Sequence, residues 1–175
     1  MSLGVVFETH STTEDNEAGI ATGWLPGRLS PLGREQAREL GVRRRDDGLS
    51  VVFIPDLRRA VETAEIAFAG SPLPVVEDER LRECNYGELN GTAEPVHDRP
   101  ANIDVPYPGG ESWRQAVARV TGFLDELRRE RDGDRMLVIG NIATRLALEV
   151  VANGRELEEA ITAPFVWQPG WEYVL

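Results

Sequence analysis

Short apolar runs alternate along this chain with segments whose apolar residues recur every three or four positions. The first pattern is typical of buried strands, and the second is typical of helices packed on a sheet. Predicted strands cover 3–7, 51–54, 74–76, 136–139 and 171–175, and predicted helices cover 31–45, 57–68, 112–127 and 142–151. This alternation predicts an α/β fold with three layers, α/β/α, around a mostly parallel central sheet.

Two of the predicted helices have clear start signals. Ser30 followed by Pro31 is typical of an N-cap and a first helical position. Ser112 with Gln115 three residues later matches a capping box. In contrast, 11–27 is polar and contains glycine, and 81–108 has no sustained period and several Pro and Gly, so both are predicted to be largely irregular.

The composition limits the partners and the class of protein. A length of 175 residues predicts one domain, 1–175, and a net charge of −11 predicts a surface that repels nucleic acid and anionic membranes. No apolar run reaches the ~18 residues that span a bilayer, and the N-terminus lacks the basic segment of a signal peptide. The single cysteine, Cys84, predicts a packed free thiol and fits the cytoplasm. The oligomeric state stays open.

Polar side chains follow three of the predicted strands. His10 comes after the first strand, Arg59 after the second, and Asn141 after the fourth. In open parallel sheets, ligands bind beyond the carboxyl ends of the strands. We therefore expect these three side chains to converge on one site.

Several motifs run in a fixed order along nearly the whole chain. They are His10 with Asn16, L-S-P-L-G-R-E-Q-A at 29–37, L-R-R-A-V-E-T-A at 57–64, L-R-E-C-N-Y-G-E-L-N-G at 81–91, and P-G-G-E-S at 108–112. Each motif alone is weak, but the ordered set resembles the histidine phosphatase, or phosphoglycerate-mutase-like, superfamily. That resemblance implies the same α/β/α fold.

The resemblance also implies roles for individual residues. His10 matches the nucleophile that accepts a phosphoryl group, and Glu83 matches the acid that protonates the leaving alcohol. Arg59 and Asn16 match residues that bind phosphate. The implied substrate is a small phosphorylated metabolite, and no metal or other cofactor is expected because fixed arginines stabilise the phosphoryl charge.

Two departures from the family pattern affect the charge of the site, and a third, Ser11 in place of the signature glycine, matters less. Thr9 stands where the family has an arginine before the nucleophile, and Asn141 stands where it has a second histidine. We expect both to line the phosphate site as weaker donors, since neither carries a positive charge. Candidates to replace the missing cations are Arg28, Arg82 and Arg145.

The remaining residues have weaker signals. The basic run 43–45 is followed by two aspartates, which predicts a solvated helix end. Residues 90–107 are predicted to form a lid over the site. His97 lies within that segment and is expected at the surface or in the lid.

Two functions remain open at this stage. The first is a metal-independent phosphomonoesterase that acts through a phosphohistidine and is impaired by Thr9 and Asn141. It is preferred to a mutase because the chain ends at Leu175, soon after the last predicted strand, whereas mutases of this family are generally longer. The second is a non-catalytic member that keeps the fold and binds phosphate or another anion.

Overall fold

The computed structural model describes residues 2–94 and 98–175, so His97 lies outside the described residues. Its strands are β1 (Gly4–Thr9), β2 (Ile20–Ala21), β3 (Val51–Ile54), β4 (Val75–Glu77), β5 (Thr92–Ala93), β6 (Arg135–Gly140) and β7 (Trp171–Val174). Its α-helices are α1 (Glu14–Glu17), α2 (Pro31–Arg44), α3 (Arg58–Ala67), α4 (Trp113–Glu130), α5 (Ile142–Asn153) and α6 (Leu157–Thr162).

A five-stranded sheet of order β4-β3-β6-β1-β7 forms the centre of the fold. Its strands are parallel except β7, which pairs antiparallel with β1. Alternate residues of β1 face opposite layers: Val6 packs in one apolar cluster with residues of α2 and α3, and Phe7 packs in the other with residues of α4 and α5. The predicted three-layer α/β/α fold is therefore confirmed.

Both predicted helix starts are present. The Ser30 hydroxyl accepts a hydrogen bond from the Gly33 N–H at 3.1 Å, with Pro31 in the first turn of α2. At α4, Ser112 and Gln115 form a reciprocal capping box. These caps satisfy N–H groups that have no partner within the helix, which is why the sequence signals located the helix starts well.

Some short elements outside the main sheet were not predicted. The two-residue strands β2 and β5 pair with each other, and α6 follows α5 after a turn at Gly154. The short strands of the main sheet could be predicted from adjacent apolar residues, whereas these elements have too few positions to show a run or a period.

The segment 90–107 does not lie entirely over the site. Its last part enters the core, where Ile103 is buried and the Tyr107 ring packs edge-on against Tyr86 at 5.1 Å. Cys84 is fully buried, as expected, and burial raises the pKa of its thiol. Within the part of the chain that the structure describes, no helix is long and apolar enough to cross a membrane.

The prediction of a solvated helix end at 43–45 is wrong. Arg43 and Arg44 both donate to the carboxylate of Glu8, which is 2% exposed, at 2.9 to 3.2 Å. Arg45 donates to the Ala67 carbonyl at 3.0 Å. Glu8 lies in a strand 35 residues away, and a buried carboxylate needs such partners, so the local charge pattern was misleading.

Candidate active site

The three strands that precede the predicted site residues lie side by side as β3-β6-β1. Beyond their carboxyl ends lies a cavity of about 800 Å³, and His10, Arg59 and Asn141 all line it. The backbone N–H of His10 donates to the Gly140 carbonyl at 2.9 Å, which joins the ends of β1 and β6. The predicted convergence follows from this strand order.

The imidazole of His10 is fixed in one orientation. Its Nδ1 lies 2.8 Å from the Ser11 carbonyl oxygen, which can only accept, so Nδ1 carries the hydrogen and Nε2 carries the lone pair. Burial, reinforced by the positive charge of Arg59, lowers the pKa of His10 to about 3. The ring is therefore a neutral base with one free nitrogen across the ordinary pH range.

The segment that follows His10 is held by residues of the motifs at 29–37 and 57–64. The Ser11 N–H donates to the Thr63 hydroxyl at 3.1 Å, and the Thr12 N–H donates to Gln36 Oε1 at 3.0 Å. A Cβ at Gly33 would lie 1.9 Å from the Thr12 carbonyl oxygen, so only glycine allows α2 to approach this closely. The motif residues thus fix the backbone beside His10.

Arg59 lies in the first turn of α3 and is 3% exposed. Its Nη1 donates to the Leu25 carbonyl at 2.9 Å and its Nη2 to the Gly23 carbonyl at 2.8 Å. Burial lowers the pKa of this guanidinium. Two of its five N–H groups therefore hold the loop before α2, and the side chain also faces the cavity.

Asn16 lines the same cavity as His10. Its Oδ1 accepts from the Thr13 N–H at 3.0 Å, and its own N–H donates to the Thr13 hydroxyl, which forms a capping box at α1. Because Oδ1 is occupied, the Nδ2 group is the part of the amide left to donate to a ligand.

Glu83 is buried against the start of α5. One carboxylate oxygen accepts from the Cys84 and Ala143 N–H groups at 2.9 and 3.0 Å, and the other accepts from the Ile142 N–H at 3.2 Å. These donors include the first two free N–H groups of the helix, which attract a carboxylate. The side chain is 7% exposed and lines the cavity that holds His10.

Thr9 and Asn141, the two departures from the family pattern that affect charge, also line the cavity. Asn141 is the N-cap of α5: its Oδ1 accepts from the Thr144 N–H and hydroxyl at 3.4 and 3.3 Å, and its Nδ2 donates to the Leu81 carbonyl at 3.1 Å. Asparagine is among the best N-cap residues. One amide hydrogen is left, and binding of phosphate by Asn141 stays a prediction.

Of the three arginines considered as replacement cations, only one lines the cavity. Arg28 is exposed and lies 4.0 Å from Glu14, and Arg82 pairs with Asp56 and stacks over Trp24 at 4.7 Å. Arg145 does line the cavity, together with Asn141 and Ile142 at the start of α5. The sequence motifs gave no signal for two further cavity arginines, Arg43 and Arg99.

The outer wall of the cavity is acidic and aromatic. Glu35 and Glu39 on α2 and Glu94 after β5 bring carboxylates to it. Phe165 and Trp167 bring exposed rings from the loop 163–170, which the sequence did not predict as part of the site. From the predicted lid, Glu94 and Arg99 are the described residues that reach the cavity.

A family model described as the histidine phosphatase superfamily (branch 1) matches residues 6–163 of the chain. The protein belongs to this family. It is 33% identical over 171 residues to a 2,3-bisphosphoglycerate-dependent phosphoglycerate mutase of Methylobacterium sp. (strain 4-46), which covers 88% of this chain and 82% of the relative.

Solved structures with the same fold are less similar in sequence. Mycobacterial hydrolase 1 superposes with a TM-score of 0.87 at 21% identity, over 99% of this chain and 91% of that one. A mycobacterial glucosyl-3-phosphoglycerate phosphatase in complex with VO3 superposes with a TM-score of 0.82 at 23% identity, over 92% and 85% of the two chains. These structures show that the fold is the same as that of this member of the superfamily.

Proposed function

We propose that this protein is a metal-independent phosphomonoesterase of small phosphorylated metabolites, with His10 as the nucleophile. The observation that carries the proposal is the state of His10. Its Nδ1–H is held by the Ser11 carbonyl, and its low pKa keeps Nε2 unprotonated. A neutral, oriented imidazole beside a buried arginine is what attack on a phosphate ester requires.

The reaction has two steps. In the first, the Nε2 lone pair of His10 attacks phosphorus, the ester P–O bond breaks, and Glu83, which enters this step protonated, gives its proton to the leaving oxygen to form the alcohol. In the second, water attacks the phosphohistidine, its proton passes to Glu83, and inorganic phosphate leaves with neutral His10 restored. Arg59 and Asn16 bind the phosphoryl oxygens, and the fixed guanidinium supplies positive charge without a metal.

The turnover number is proposed to be low. Thr9 and Asn141 replace two cations of the family pattern, and loss of one preorganised donor typically lowers a rate by about 10²–10³. A second candidate function, non-catalytic binding of phosphate or another anion, is favoured by one observation. The Asn141 side chain caps α5, so its Oδ1 is already bonded to the protein.

One experiment separates the two functions. We expect hydrolysis of 4-nitrophenyl phosphate without added metal, release of inorganic phosphate, and a loss of at least about 10³-fold in kcat on His10→Ala. Equal turnover in His10→Ala would show that His10 is not the nucleophile. No turnover in the wild type, with a normal circular dichroism spectrum and retained phosphate binding, would establish the anion-binding function.

A further inference from the structure

Among the residues that the structure describes, four arginines line the cavity, and their side chains are held in different ways. Arg43 is bound to Glu8, Arg59 donates to two backbone carbonyls, and Arg99 lies over the Trp113 ring at 5.8 Å. The buried Nε of Arg145 has no hydrogen-bond partner among the described residues. A buried unsatisfied donor is rare enough to need a physical explanation.

Aromatic rings hold the Arg145 guanidinium in place. Its central carbon lies 5.4 Å from the centre of the Phe165 ring and 5.2 Å from that of Trp171. Tyr173 donates to Glu149 at 2.7 Å, and Arg145 interacts with both, by a hydrogen bond to Tyr173 and through its charge with Glu149, while its Nε stays without a partner among the described residues. Ring contacts fix the plane of a guanidinium and leave N–H groups at its edge for an anion.

The position of Arg145 on α5 directs it towards Asn141. Its backbone N–H donates to the Asn141 carbonyl at 3.1 Å, so the two residues are one helical turn apart on the same face. Long side chains lean towards the N-terminus of their helix. The guanidinium therefore lies on the side of the site where the family pattern has its second histidine.

The same group also lies next to the face of β1 that carries Thr9. Residues 7 and 9 of a strand share one face. The Phe7 ring is 5.4 Å from the Trp171 ring, which in turn contacts Arg145. Arg145 and the two positions where a cation of the family pattern is missing all line the same cavity.

We propose that Arg145 binds the phosphoryl oxygens of the substrate and supplies from α5 the positive charge that positions 9 and 141 lack. The loop 163–170 contributes Phe165 as one wall of the arginine site. The inference rests on one part of the proposed function, namely that the cavity binds a phosphate group. It holds equally for an enzyme and for a binding protein.

Binding of inorganic phosphate, measured by isothermal titration calorimetry, tests this assignment independently of turnover. We expect Arg145→Gln to raise the Kd about tenfold or more, because a charged hydrogen bond is lost. Arg145→Lys keeps the charge and the stem over the rings, so a smaller rise is expected. Arg28→Gln removes the same charge outside the cavity and is expected to change the Kd less than twofold.

A rescue variant separates a phosphate contact from a structural role. In the double variant Thr9→Arg with Arg145→Gln, an arginine returns from β1, and we expect much of the phosphate affinity to return. Wild-type affinity in both Arg145→Gln and Arg145→Lys would overturn the proposal, as would a loss that Thr9→Arg does not restore. The nucleophile assignment is tested separately by turnover of 4-nitrophenyl phosphate in His10→Ala, a measurement on which the comparison of phosphate affinities at position 145 does not depend.

Discussion

The two sides of the cavity use their hydrogen bonds for different purposes. On the His10 side, the backbone carbonyl of Ser11 holds the imidazole by one nitrogen and leaves the other free. On the Asn141 side, both polar atoms of the side chain bond to the protein and begin α5. The His10 side leaves Nε2 available for chemistry, whereas on the Asn141 side the side chain caps α5. Family membership therefore does not by itself say how much of the chemistry remains.

The largest expected effect is on the His10 side. We expect Arg59→Gln to lower kcat/KM by about 10³-fold or more, because the buried guanidinium is lost beside the phosphoryl group. Arg58→Gln is the matched control, since Arg58 is exposed on the same helix turn. Steady-state kinetics with 4-nitrophenyl phosphate measure both, and equal losses in the two variants would refute a specific role for Arg59.

Asn141→His should reduce the difference between the two sides of the cavity, since it places a titratable group on the Asn141 side. We expect kcat to rise about 10²-fold. We also expect the free energy of unfolding to fall by about 1 kcal/mol, because histidine is a poorer N-cap than asparagine. Kinetics and urea denaturation on the same sample give both numbers. A gain in kcat with unchanged stability would show that the cap contributes little.

The smallest expected effect is the dependence of the free energy of unfolding on pH, which tests the state of His10. The pKa of His10 is about 3 in the fold and near 6.5 when unfolded, so between these values the unfolded chain binds one more proton. The free energy of unfolding should therefore decrease as the pH is lowered through this window. His10 alone should account for a decrease of about 2 kcal/mol between pH 7 and pH 5. Urea denaturation of the wild type and His10→Ala at both pH values isolates it, since the variant lacks this slope.

The main elements of the fold could be predicted because their causes are local. The start of α4 follows from Ser112 and Gln115, and the strand 51–54 follows from four adjacent apolar residues, all of which are buried. Convergence of His10, Arg59 and Asn141 also follows from a general property of parallel sheets. The order β3-β6-β1 then brings them to one cavity.

What could not be predicted depends on distant contacts. Arg44 contacts Glu8, which lies 36 positions earlier, and Arg145 contacts the ring of Phe165, which lies in a loop about 20 residues later. Neither contact has a period or a motif. The cap at Asn141 did have a local signal, because Asn before a helix with Thr144 three residues later is capable of reciprocal capping.

The carboxylates on the outer wall of the cavity affect how fast a substrate arrives. A phosphate ester enters a cavity that Glu35, Glu39 and Glu94 help to line, on a molecule whose net charge is −11. Like charges slow the encounter of two anions, and salt screens that repulsion over about 10 Å at 0.1 M. The association rate should therefore increase with ionic strength, whereas electrostatically steered enzymes show a decrease. This protein would then favour abundant substrates over rapid capture of scarce ones.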